Sequence, residues 1–379
     1  MQMKEPKIHI LYLCGIAVHG GVGSYLTSVA QHFPQDKYVL HITYYAAQRF
    51  EEFEAIILAR NPHVVFHHLP AFSIKNLLTS KLWQATKKLY QQYHFDLVHA
   101  HNPYLSFIHF YFAKQHNIQG RILHSHSSQP SGSKIKAQIN RLFYQLTKLF
   151  VTDRIACSRV AGEFLFKNSP YQIIYNAIAC DRFAFNPQQR QQLRAQFQLD
   201  ENTMVLGHVG NFEPVKNHQF LLQLLEKLAQ QSQSYKLFLI GVGPLQAEYQ
   251  QWVAEHQLQN QVIFLGYRKD VPQLLNLFDI FLLPSLFEGV PLSTLESQCN
   301  GLPTLVSNTV TDEVAITDLV NFYPINQTVE PWVSAIQQTI RNAQRESYAD
   351  KMREQGFSID QHIQQLIDCY QQVLQRQKK

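Results

Sequence analysis

Two carboxylates eight positions apart, Glu288 and Glu296, bracket the run Glu288-Gly289-Val290-Pro291-Leu292-Ser293-Thr294-Leu295-Glu296, and Gly301-Leu302-Pro303 follows. The run comes directly after an apolar, strand-like stretch at 280–284. A strand, a glycine-containing turn and a helix start leave backbone N–H groups without intrahelical partners, and the helix dipole is positive at that end. Such an end is suited to anions, and to phosphates above all. Acidic side chains beside a phosphate have a use when they accept hydrogen bonds from sugar hydroxyls. The plain alternative is one exposed and one helix-face glutamate with no shared task.

Other residues that could do chemistry are scattered. Gly20-Gly21-Val22-Gly23 follows the first apolar run, yet it is not a dinucleotide fingerprint. G-x-G-x-x-G fails because position 26 is Leu26, and Tyr44 and Tyr45 stand where an acidic residue should close the second strand. The loop reads instead as a flexible turn that lets a ligand approach the backbone. No two aspartates stand two apart, so an Asp-x-Asp metal clamp is absent. None of the 18 histidines pairs ligand spacing with nearby carboxylates, and His67-His68 and His99-x-His101 read as packing residues. Metal is therefore not expected. The five cysteines, Cys14, Cys157, Cys180, Cys299 and Cys369, include no C-x-x-C and read as free thiols in a reducing compartment.

These residues need elements to hold them. Short apolar runs at 8–14, 39–45, 64–69, 97–101, 121–126, 154–158 and 173–178 alternate with helical spacing in the first half. A second series, 205–210, 236–241, 262–266, 280–284 and 304–307, begins after a polar, Gln- and Arg-rich stretch at 181–203 that reads as a boundary. Alternation of this kind predicts βαβ units and parallel sheets covered on both faces. The expected fold class is α/β, with two doubly wound domains facing across a cleft. The apolar stripe Ile359, Ile363, Leu366, Ile367, Tyr370, Val373 and Leu374 predicts a closing amphipathic helix. The expected division is 1–178 with 358–379, and 179–357.

The motifs, in this order, resemble those of retaining glycosyltransferases with the GT-B fold, in the large glycosyltransferase family 4. Besides the Glu–seven residues–Glu run, the likeness rests on several segments. They are Gly20–Gly23, His124-Ser125-His126, Tyr175-Asn176-Ala177-Ile178, Gly207-His208-Val209-Gly210 through Lys216-Asn217, Leu239-Ile240-Gly241-Val242-Gly243-Pro244, and Phe264-Leu265-Gly266-Tyr267-Arg268-Lys269-Asp270-Val271. The resemblance implies that Glu288 binds hydroxyls of the transferred sugar and Glu296 those of the ribose. It implies that amides around Gly289, Val290, Leu292 and Ser293 hold the diphosphate, and that Lys216 stabilises the leaving phosphate. Gly21 and Gly23 belong to the glycine-rich loop on the donor side. One of His124 and His126 faces the sugar, and counting from the strand start at Gly120 favours His126. One departure stands out: Asn211 occupies the place of the family's usual arginine, which leaves Arg268 as a candidate compensating cation.

The implied activity is transfer of a hexose or N-acetylhexosamine from a UDP-sugar, without a metal, to a glycan or a polyprenyl-diphosphate-linked acceptor. The resemblance is strongest to bacterial exopolysaccharide and capsule enzymes. An epimerase or phosphorylase on the same fold is the alternative within enzymes, and a non-catalytic subunit of a polysaccharide-assembly complex the alternative outside them.

With 45% hydrophobic and 16% charged residues over 379 positions the composition is globular. No apolar run approaches the roughly 20 residues that span a bilayer, no signal peptide is evident, and a cytoplasmic protein is expected. Charge is uneven. Residues 1–175 hold 18 Lys/Arg against 8 Asp/Glu, the remainder 15 against 20, and no acidic residue lies between Asp96 and Asp153. An anionic partner for the first half follows. The segment 134–148 joins an apolar stripe (Ile135, Ile139, Leu142, Phe143, Leu146, Leu149, Phe150) to Lys134, Lys136, Arg141 and Lys148. Packing of that stripe on the sheet is the first expectation, and an anionic membrane surface is the functional one. Nucleic acid is not expected, since no binding motif accompanies the charge.

Overall fold

A computed structural model of the chain describes residues 6–15, 20–73, 75–76, 79–127, 134–326, 328–340 and 345–377, without the side chains at 134–137, 340 and 377. The chain divides into two compact units, Met1–Asn176 with Ile359–Lys379, and Ala177–Ser358.

The first unit runs β1 (Ile8–Gly15), α1 (Gly21–His32), β2 (Tyr38–Ala46), α2 (Glu51–Leu58), β3 (Val65–Pro70), α3 (Lys81–Gln92), β4 (Leu97–Ala100), α4 (Ser106–Gln115), β5 (Gly120–Ser125), α5 (Lys134–Lys148), β6 (Asp153–Ala156), α6 (Arg159–Phe166) and β7 (Gln172–Ile173). Its strands pair in parallel in the order β3-β2-β1-β4-β5-β6-β7. The second unit runs α7 (Cys180–Phe183), α8 (Pro187–Gln196), β8 (Met204–Val209), α9 (His218–Ala229), β9 (Tyr235–Ile240), α10 (Gln246–Glu255), β10 (Val262–Gly266), α11 (Val271–Leu274), β11 (Ile280–Leu283), α12 (Leu292–Cys299), β12 (Thr304–Ser307), β13 (Val320–Tyr323), α13 (Glu330–Ile340) and α14 (Ala349–Glu354). It too is all parallel, in the order β10-β9-β8-β11-β12-β13. The last helix, α15 (Ile359–Gln377), returns to the first unit.

Strands buried on both faces must be apolar without alternation, and β11 meets that demand: Ile280, Phe281, Leu282 and Leu283 are all buried. The core clusters on the two sides of the second sheet share its strands, with Phe278 and Leu295 on one side and Leu224 and Trp332 on the other. In α15 the stripe Ile359, Ile363, Leu366, Ile367, Tyr370 and Val373 is buried. Tyr370 Oη lies 2.6 Å from both Tyr12 Oη and His99 Nδ1, so the helix joins the first sheet by polar contacts as well as by area.

The polar stretch at 181–203 is not a linker. It carries α7 and α8, which dock on the second unit: Arg190 pairs with Asp279, and Asp279 also accepts from Val205 N–H at 2.8 Å. The amphipathic segment forms α5 over the expected residues, but its stripe is divided. Phe143 packs inward beside Phe107, whereas Leu142 and Leu149 are 62% and 71% exposed. Lys134, Ile135 and Lys136 lie outside the described side chains.

Candidate functional site

In an open α/β sheet ligands gather beyond the C-terminal ends of the strands, where the strand order reverses. In the second unit that place is between β8 and β11, which pair through Ile280↔Leu206 and Phe281↔Gly207. The loops that leave these two strands are tied together. Leu286 N–H donates to Val215 O at 2.8 Å, and Asn217 Nδ2 donates to Pro284 O at 3.1 Å. Lys216 ends a single 3-10 turn, Pro214–Lys216, and Asn217 leaves it in the left-handed region (φ 54°, ψ 45°), which asparagine tolerates. Room for the lysine stem comes from Gly210. A Cβ there would stand 2.7 Å from His208 Nε2 and 3.2 Å from Lys216 Cδ.

The outcome is one ion pair. Lys216 Nζ lies 2.5 Å from Glu288 Oε1, with the two side chains 18% and 17% exposed. Burial lowers the neighbouring His208 to about 4, so this histidine is neutral and Lys216 is the cation of the pair of loops.

Helix α12 starts at Leu292, three residues later than Gly289, so Glu296 sits just over one turn in. Its N-cap, Pro291, offers no side-chain hydrogen bond, and no acidic residue occupies the first turn. The N–H groups of Leu292 and Ser293 therefore begin a helix that its N-cap residue does not cap. Gly289, Val290 and Ser293 are buried and Leu292 is half-buried. Burial pushes the Glu296 carboxyl up to about 7, against a downward pull from Arg182, and no hydrogen bond to that carboxyl occurs among the described residues.

Two expected site residues are placed differently. Arg268 is held bidentately by Asp270 at 2.7 and 2.6 Å, so its charge is already matched and it is not a free replacement for the arginine absent at Asn211. His124 is fully buried and offers no surface to a sugar nucleotide.

In the first unit, Gly21 and Gly23 form the opening turn of α1 rather than a flexible loop. A Cβ at Gly21 would meet nothing within 4 Å. His126 follows β5, half-buried, with Nε2 2.8 Å from His101 Nδ1. Burial pushes it down to about 3, so it is a neutral imidazole that can hydrogen-bond a sugar but carries no charge near neutrality. Behind it, His99, His101 and His124 place ring nitrogens within 4.8 Å of one another. Among the described residues their Nε2 atoms and His124 Nδ1 have no hydrogen-bond partner, and burial holds all three well below the usual histidine range. Neutral imidazoles so grouped could ligate a transition metal, an arrangement the reading of His99 and His101 as isolated packing residues does not contain. The signal was present: H-x-H and H-S-H end two strands that pair side by side, so the residues of like parity share a face. His67 does serve packing, stacked on His41 at 5.2 Å.

Two Rossmann-like α/β units, one with a lysine–glutamate pair and an uncapped helix start at its switch point, define a GT-B glycosyltransferase. Residues 19–182 match the family described as Glycosyltransferase Family 4, and residues 189–358 match Glycosyl transferases group 1. The putative glycosyltransferase EpsF of Bacillus subtilis is 30% identical over 286 residues, 73% of this chain and 74% of that protein. The UDP-Gal:α-D-GlcNAc-diphosphoundecaprenol α-1,3-galactosyltransferase of Escherichia coli is 23% identical over 300 residues, 75% of this chain and 77% of that protein. Anabaena HepE, solved in complex with UDP and glucose, shares the fold with a TM-score of 0.79 at 20% identity, over 95% of this chain and 98% of that one. The chain belongs to glycosyltransferase family 4 and is a glycosyltransferase.

Proposed function

We propose that the protein transfers a hexose or N-acetylhexosamine from a UDP-sugar, with retention at the anomeric carbon, to a glycan or lipid-linked acceptor in exopolysaccharide or capsule synthesis. The observation that carries this reading is the Lys216–Glu288 pair at the β8/β11 switch point, beside the uncapped start of α12. The diphosphate rests on the amides of Gly289, Val290, Leu292 and Ser293, and Lys216 neutralises the charge that grows on the departing phosphate. Glu288 takes hydroxyls of the sugar, and Glu296 takes those of the ribose. Glu296 suits that task because its carboxyl has no hydrogen bond to give up among the described residues, only the pull of Arg182. Asn211 supplies hydrogen bonding in place of the arginine charge, which leaves Lys216 with a larger share of the work. Within the first unit, His126 is a neutral hydrogen-bonding group for a sugar and Gly21 leaves open approach to backbone.

The names of the relatives support the donor class: the Escherichia coli enzyme is named for UDP-galactose and HepE was solved with UDP and glucose. A cytoplasmic setting is supported by the five cysteines, which are all buried and in no disulfide among the described residues. No helix among the described residues is long and apolar enough to cross a membrane. Catalysis needs no metal in this reading, because a lysine and a helix start face the diphosphate. A screen of UDP-sugars, with and without EDTA, tests it. One donor should raise the unfolding temperature and be slowly hydrolysed to the anomer it began with, unaffected by EDTA. Epimer or sugar phosphate as product, or no donor bound at all, would count against it.

A further inference from the structure

Three buried histidines meet on one face of the first sheet. His99 pairs with Tyr12 of β1 and with Ile122 of β5, and Ala100 pairs with Leu123. One position further on, His101 comes beside His124. Residues of like parity share a face, which groups His99, His101 and His124 with Tyr12. Ring centroids stand 4.3 Å apart for His99 and His101, 5.3 Å for His99 and His124, and 5.4 Å for His101 and His124. One nitrogen of each ring lies within 4.8 Å of the other two.

Packing alone does not account for these side chains. A buried polar atom ordinarily has a partner, and leaving it without one is destabilising. Among the described residues His99 Nε2, His101 Nε2 and both nitrogens of His124 have none. The remaining nitrogens are engaged. His99 Nδ1 lies 2.6 Å from Tyr370 Oη, which lies 2.6 Å from Tyr12 Oη, and His101 Nδ1 lies 2.8 Å from His126 Nε2. An imidazole that donates from Nδ1 to a fixed partner presents its Nε2 lone pair, and outer partners of this kind orient the histidines of metal sites. His126 is half-buried beside His101, so an ion can enter from that side.

The donor set selects the ion. Calcium and magnesium require oxygen ligands, whereas imidazole nitrogens suit zinc and its neighbours in the first transition row. Nitrogens at about 2.0–2.1 Å from one ion, at near-tetrahedral angles, put their ring centroids about 5 Å apart. The observed 4.3, 5.3 and 5.4 Å come close to that, so ring torsions can close the site without moving the strands.

The geometry points to a zinc-type site in the core of the first unit, with Nε2 of His99, Nε2 of His101 and one ring nitrogen of His124 as ligands and water at the fourth position. Tyr370 and His126 are its outer partners. The ion ties β4 to β5 and, through Tyr370, to the closing helix α15. It acts as a clip in the fold and takes no part in donor chemistry. The site lies wholly within the first unit and does not depend on the donor-site reading.

The test uses the full-length protein without a histidine tag, stripped with a chelator and titrated with Co²⁺ and then Zn²⁺. One equivalent of Co²⁺ should bind, give the intense visible bands of a four-coordinate site, and be displaced by Zn²⁺. The loaded protein should unfold at a higher temperature than the stripped one. His101→Gln and His124→Gln should each weaken binding more than about 100-fold, and Tyr370→Phe, which removes only the hydroxyl behind His99, about 10-fold. His63→Gln combined with His116→Gln, at two exposed positions, should leave it unchanged. X-ray absorption of the native protein with one equivalent of Zn²⁺ should show imidazole scattering from three rings, a reading that stands even where a variant fails to fold. Donor hydrolysis should be equal in stripped and loaded protein, which keeps this result apart from the donor-site reading. No saturable binding overturns the inference. So does binding that His101→Gln and His124→Gln leave intact, or an absorption spectrum without three imidazoles.

Discussion

Lys216 Nζ and Glu288 Oε1 stand 2.5 Å apart at the tips of loops that leave neighbouring strands, β8 and β11. The pair couples the group assigned to the leaving phosphate with the group assigned to the sugar. Donor binding must therefore rearrange or share this contact, and each partner holds the other in place until then. Lys216→Ala removes the cation and leaves a partly buried carboxylate without it. Turnover should fall about 10²–10³-fold, and stability by about 1–3 kcal/mol. Lys216→Met combined with Glu288→Gln should be less destabilised than the sum of the single changes, as read by denaturant unfolding.

Glu296 predicts a pH dependence of stability. Its folded carboxyl titrates at about 7, above the ordinary range, because burial disfavours the charged form. Between about 4.5 and 7 the folded chain keeps a proton that the unfolded chain has released, so this group's contribution falls as pH rises through that window. Glu296→Gln should match the native protein below about pH 4.5 and exceed it above pH 7, by at most about 3 kcal/mol. Unfolding at both pH values checks the sign. For the donor the reverse holds: the native KM should fall as pH rises through 7, because the ionised carboxylate is the better acceptor for ribose hydroxyls, while Glu296→Gln should show a flat, higher KM.

Gly21 separates packing from function. It lies in the first turn of α1 with nothing within 4 Å of a Cβ. Alanine is a better helix former there by about 0.5–1 kcal/mol. Gly21→Ala should therefore unfold at an equal or higher temperature yet transfer sugar more slowly, if the open space admits substrate. Unchanged activity would make the glycine incidental.

His126 is neutral near pH 7, with burial holding it at about 3 and His101 2.8 Å from its Nε2. His126→Asn keeps a hydrogen-bonding group and should retain more activity than His126→Ala. Neither change should remove a limb from the pH–rate profile between pH 5 and 8. Loss of such a limb would mean that the imidazole exchanges a proton during turnover.

Much of this was legible in the sequence, for physical reasons. Parallel strands buried on both faces have to be continuous apolar runs, so β11 and β12 could be read almost to the residue. The strand β13 was missed because none of its four residues is fully buried, and its run Val320–Tyr323 is too short and mixed to stand out. Helices α7 and α8 were hidden by their composition: in α8 only Leu193 is buried, and arginine–carboxylate bonds do the anchoring. The two faces of α5 could not be told apart because a stripe of leucines looks the same in sequence whether it is packed or exposed. Glu288 and Glu296 stood out by their spacing around a helix start, and Lys216 was singled out through resemblance. That Lys216 and Glu288 touch across 72 positions, and that Arg268 is already matched by Asp270, needed coordinates.

The central claim is that the turn bearing Glu288 holds the donor sugar. The most direct test compares native protein with Glu288→Gln for transfer or slow hydrolysis of the UDP-sugar that stabilises the native chain, with unfolding followed alongside. The account predicts that Glu288→Gln still folds cooperatively and loses the reaction by at least about a hundredfold. Native-level turnover in the folded variant would contradict it.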